Sequence, residues 1–150
     1  MAQGSVTELS LPLPQAPDTR IYLRLSRQAK ATVLSLTTAT PDHVSSPRPL
    51  GSFVYALPDR SSAHQPLATT LQAHEATLEF ATRLAKLLAR KTQLPVYVSN
   101  SMSFETAILG GSVQEEMAAF EAIVDVVLQQ LSAVDAKGNS SGQDALLPPQ

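Results

Sequence analysis

Residues 78–104 read LEFATRLAKLLARKTQLPVYVSNSMSF, and the spacing of apolar residues changes character midway through them. Phe80, Leu84, Leu87 and Leu88 follow an i, i+4, i+7, i+8 pattern, and Ala76, Leu78, Ala81 and Ala85 widen the stripe. That is the mark of an amphipathic helix, and it predicts one over about residues 73–92. Arg83, Lys86 and Arg90 fall together on another face of that helix. Glu75 and Glu79 come early and the bases late, the order that the helix dipole favours. Pro95 then stops the helix, and VYVSN at 96–100 begins a strand rich in β-branched residues.

On the N-terminal side the period is two. Leu9, Leu11 and Leu13 alternate with polar or proline neighbours, as do Ile21, Leu23 and Leu25, with PQAPD between the two runs as a turn. Val33, Leu34 and Leu36 are bounded by Ser, Thr and Pro. Phe53, Val54, Tyr55, Ala56 and Leu57 form an unbroken apolar run, the pattern of a strand covered on both faces. Residues 41–50 and 58–65 are proline-rich or polar and read as loops, and 66–71 is a weaker strand.

On the C-terminal side FETAIL at 104–109 is expected to be a further strand. Gly110 and Gly111 then break the chain, and Ser112 with Glu115 has the spacing of a capping box. Met117, Phe120, Val124, Val127 and Leu131, flanked by Ile123 and Leu128, recur at threes and fours and predict a long helix. Residues 136–150 are expected to form a disordered tail, because their composition buries too little apolar surface to offset ordering entropy. Strands followed by helices give an α+β class, with one domain over 1–135.

The 150 residues include no cysteine, which excludes disulfides, thiolate nucleophiles and sulfur-ligated metals. The N-terminus shows no leader pattern and no stretch is long enough for a membrane helix, so a soluble intracellular protein is expected, cytoplasmic and extending to the nucleus. Residues 1–91 hold ten Lys/Arg against six Asp/Glu, whereas 92–136 hold six acids and no Lys or Arg. Such polarity can steer a charged partner. Nucleic acid is disfavoured, since no dense basic patch with interleaved aromatics occurs and the sequence pI is about 5.9.

Catalytic patterns are incomplete. His74-Glu75 begins a metalloprotease motif, but Leu78 stands where the second histidine belongs. Gly110-Gly111-Ser112 lacks the lysine and spacing of a phosphate-binding loop, and no nucleophile-elbow sequence is present. His43 and His64 lie in expected loops, and Glu115 and Glu116 point to different faces of one helix. No catalytic residue, metal or cofactor is indicated.

The run ATRLAKLLARKTQLPVYVSNSMS, followed by FETAIL and VQEEM, resembles the C-terminal half of proteasome assembly chaperone 4 over roughly residues 75–120. The resemblance implies an antiparallel sheet of about six strands with two helices packed on one face and the other face available to a partner. It implies a non-enzymatic chaperone of 20S proteasome assembly, paired with a proteasome assembly chaperone 3-like protein. That heterodimer binds an α-type subunit, chiefly α5, and promotes α-ring formation. The loop at 41–50, the longer final helix and the tail depart from the family pattern.

Strand faces around Val33, Leu36, Val54 and Ala56 are the expected dimer interface. Arg83, Lys86 and Arg90, or the acidic face of the last helix, are expected to tune the α-subunit contact. The alternatives from other classes are a small α+β enzyme or ligand-binding domain, which needs an inward polar cluster, and a trafficking adaptor.

Overall fold

The computed structural model describes residues 4–13, 16–43, 45–62, 65–104 and 113–143, with side chains given except at 17 and 134–143. The elements run β1 (Ser5–Leu13), β2 (Ala16–Arg27), β3 (Thr32–Ala39), a 3-10 turn (Pro41–His43), β4 (Ser52–Leu57), β5 (Leu67–Gln72), α1 (Glu75–Thr92), β6 (Val96–Asn100) and α2 (Val113–Gln143). The strands form one sheet of six in the order β1-β2-β3-β6-β4-β5.

Five neighbouring pairs join these strands, and all but one are antiparallel. β6 runs parallel to β3, Leu34 lying opposite Val98, and antiparallel to β4, where Val54 lies opposite the same Val98. The sheet expected to be antiparallel is mostly so, with this one parallel pair. The cause is connectivity: α1 carries the chain back from β5, so β6 enters between β3 and β4 in the same direction as β5. A crossover of this length is what parallel pairing requires.

Alternation along each strand separates two faces. Ile21, Leu23 and Leu25 of β2, Leu34 and Leu36 of β3, Val54 and Ala56 of β4, and Val96 and Val98 of β6 are buried in one cluster. The same cluster holds Phe80, Leu84 and Leu88 of α1 and Ala119, Ile123 and Val127 of α2. Both helices thus cover one face. Small residues Ala81, Ala85 and Ala89, all fully buried, line the stripe of α1 and let it approach the sheet. The other face carries Tyr22, Val33, Phe53, Tyr55 and Tyr97, each half-buried, and no helix among the described residues covers it.

α1 begins without help from its own N-cap side chain, since His74 makes no capping bond. Ser52 of β4 supplies it: the His74 N–H donates to Ser52 Oγ at 3.0 Å, and Ser52 Oγ lies 2.8 Å from Thr77 Oγ1. The helix ends at Gln93, whose φ of 57° is left-handed and whose N–H donates to Ala89 O. α2 continues to Gln143, beyond the expected start of the tail at 136. Residues 144–150, the FETAIL stretch beyond Phe104, and Gly110 to Ser112 with its capping box lie outside the described residues.

Thr32 opens β3 with its side chain 1% exposed and Oγ1 without a hydrogen-bond partner among the described residues. A buried hydroxyl with no partner keeps its desolvation cost. Thr32→Val, close in shape, is therefore expected to be neutral or to stabilise by up to about 1 kcal/mol, read as an unchanged or higher urea midpoint. A loss of stability would show that the hydroxyl is satisfied.

Candidate partner interface

The uncovered sheet face is apolar at its centre. Tyr97 on β6 stacks on Tyr55 of β4 with ring centroids 4.5 Å apart and planes at 29°, and on Phe53 at 5.8 Å and 28°. Register makes this patch inevitable: Tyr97 is directly opposite Tyr55 across the β4–β6 pair and opposite Val33 across β3–β6. Cross-strand aromatic neighbours of this kind hold each other in one orientation and leave a flat apolar surface. Leu57, 37% exposed, continues it towards β5.

The β1–β2 side of the same face is charged. Arg24 and Glu8 approach to 3.9 Å with both side chains well exposed, a pair that adds little stability. Arg20 donates to Ser10 Oγ at 3.1 Å. The 41–50 loop returns to this face, where Ser99 Oγ donates to Leu50 O at 3.3 Å. Between loop and strands lies a depression of about 370 Å³ bordered by Tyr22, Arg24, Thr37, Arg48 and Leu50. An apolar centre with a polar, partly walled rim is the usual anatomy of a protein-binding patch.

Of the four residues expected at this interface, only Val33 lies on the open face. Leu36, Val54 and Ala56 are 2%, 0% and 0% exposed beneath the helices. In an all-apolar run such as FVYAL, parity is invisible to hydrophobicity. Packing resolves it by placing the small Val54 and Ala56 in the buried cluster with the alanines of α1, and the larger Phe53 and the amphipathic Tyr55 outside. The preference of tyrosine for half-exposed positions is the signal that distinguishes the two faces.

The cations of α1 lie on the other side of the sheet. Arg83, Lys86 and Arg90 are exposed, and Arg83 sits over the ring of Phe120 at 5.3 Å from its centroid. The acids of α2 split: Glu115 is buried, whereas Glu116, Glu121 and Asp125 are exposed. Among the described residues no cluster of His, Cys, Asp and Glu could hold a metal ion, and no helix is long and apolar enough to cross a membrane.

The sequence model of the family described as proteasome assembly chaperone 4 matches residues 20–102, from within β2 to just past β6. The chain belongs to the proteasome assembly chaperone 4 family. The matched stretch contains the aromatic patch, all of α1 and its cations, and VYVSN; β1 and α2, with Glu115 to Met117, lie outside it. As a member of this family the chain is also similar in fold to a chain from a novel chaperone complex for yeast 20S proteasome assembly. That likeness has a TM-score of 0.58 and 18% identity, covering 84% of this chain and 98% of the yeast one. No curated protein sequence matches it.

Proposed function

We propose that the chain is a non-enzymatic chaperone of 20S proteasome assembly that works as half of a heterodimer. Its open sheet face docks on a second small chaperone of the same fold, a proteasome assembly chaperone 3-like protein. The pair holds an α-type subunit, α5, and promotes α-ring formation, acting in the cytoplasm and nucleus without metal or cofactor. Family membership supports the assembly role, and the chaperone complex named for the yeast chain supports a paired mode of action.

The observation that carries the heterodimer is the stacked Phe53, Tyr55 and Tyr97 patch on a face that two helices leave bare. Aromatic residues at the centre of an interface carry a large share of its free energy. A holding chaperone also needs moderate, displaceable binding to its client, which a charged surface provides.

The test is coexpression of the chain with a proteasome assembly chaperone 3-like protein. The double variant Tyr55→Glu/Tyr97→Glu is expected to weaken the pair at least thirtyfold, about 2 kcal/mol, by analytical ultracentrifugation. Its far-UV circular dichroism should remain that of the parent. Undiminished pairing would refute docking through this face, and failure of the intact pair to retain α5 in preference to other α subunits would refute the client.

A further inference from the structure

The two edges of the sheet are treated differently by the sequence. β1 at one edge carries Glu8 and Pro12, residues that discourage a second strand from adding there. β5 at the other edge reads LATTLQ, with no charge and no proline, and Leu67 and Leu71 are 63% and 52% exposed. Among the described residues β5 hydrogen-bonds to β4 alone. An unguarded edge with exposed leucines is a template for one more strand.

Charge states what kind of strand. A groove of about 630 Å³ runs between Pro66 and Leu67 at the start of β5 and the cations Arg83, Lys86 and Arg90 of α1. Leu87 and Phe120 also line it, and among the described residues Asp59 is the one carboxylate that does. None of the three cations has an ion-pair partner among the described residues. A strand added to β5 directs alternate side chains to the two faces. Those on the helix side lie towards the cations, and those on the open side lie beside Leu67, which is on the face of Tyr55.

We propose that the β5 edge and the cation row of α1 form one docking site for an extended segment of a partner protein that alternates acidic and apolar residues. Main-chain hydrogen bonds to β5 provide the affinity, and the cations select an acidic strand. A second copy of this chain is the wrong occupant, because pairing β5 with β5 brings two cation rows to the same junction. The site lies beyond the aromatic patch and does not rest on which protein occupies the open face.

The probe is a fluorescein-labelled nonapeptide alternating valine with glutamate, compared with its lysine counterpart on the full chain. Anisotropy is expected to show at least tenfold preference for the acidic peptide, lost in Lys86→Glu/Arg90→Glu. Amide-resolved hydrogen exchange should show slowing of at least tenfold in β5, with β1 unchanged. The Tyr55→Glu/Tyr97→Glu variant should bind the peptide as the parent does, which separates this site from the heterodimer face. Equal binding of the two peptides, or acidic-peptide binding unaffected by Lys86→Glu/Arg90→Glu, overturns the proposal. So does β5 exchange in the free chain already as slow as that of β4, since the chain or a second copy then covers its own edge.

Discussion

Replacing Gly51 with alanine is expected to destabilise the protein by about 3 kcal/mol or more, lowering the melting temperature by roughly 6–12 °C. Gly51 has a φ of 70°, where an L side chain costs about 1 kcal/mol. Crowding adds more than the backbone angle does. A Cβ there would overlap the carbonyl oxygen of Asn100 and come within 2.8 Å of Asn100 C and Ser101 Cα. All three atoms are backbone, so no rotamer relieves the clash and the β4–β6 pairing at Ser52 and Asn100 must open. Gly51→Asn isolates the cause, because asparagine tolerates the left-handed backbone but carries the same Cβ. It is expected to recover less than about 1 kcal/mol of the loss. A Gly51→Ala protein that melts with the parent in scanning calorimetry would show that β4 and β6 approach less closely than described.

Asn100→Leu is expected to cost about 3 kcal/mol although it adds apolar volume to a buried site. Asn100 is 1% exposed and joins three segments. Its Nδ2 donates to Thr77 O at 3.2 Å in the first turn of α1, and its Oδ1 accepts the Met102 N–H at 3.0 Å where the chain leaves β6. Leucine leaves the Met102 N–H without that acceptor, and a buried unpaired donor costs about 1–3 kcal/mol. Ser101→Ala is the control: that residue is half-exposed, its hydroxyl donates to Leu36 O at 3.3 Å, and its loss should cost under about 1 kcal/mol. Equal urea midpoints for the two variants would contradict the bridging role of Asn100.

Most elements were legible because their periods are unambiguous. The alternation of Ile21, Leu23 and Leu25 and the 3.6-residue stripe from Phe80 to Leu88 each admit one secondary structure, and β2 and α1 follow them. The place of β6 in the sheet was not legible. VYVSN says strand, but whether it pairs with β3 or β4, and in which direction, depends on where α1 sets it down. The site shows the same division: charge made Arg83, Lys86 and Arg90 visible as an exposed row, whereas Leu36, Val54 and Ala56 needed the fold to show that they lie under the helices. Ser52 capping α1 across 22 residues of sequence has no local signature at all.

The central position of β6 also sets the order in which the protein can be completed during synthesis. β1, β2 and β3 can pair as soon as they emerge, and β4 can pair with β5, but no strand among them joins the two groups. Until Val96–Asn100 leaves the ribosome, β3 and β4 each present an unpaired edge with buried-face residues such as Leu34 and Val54 exposed to other chains. At roughly 5–20 residues per second, the interval between the end of β4 and the end of β6 lasts several seconds. A single five-residue strand then closes both edges at once, which makes the nascent chain most vulnerable to aggregation just before its sheet is complete.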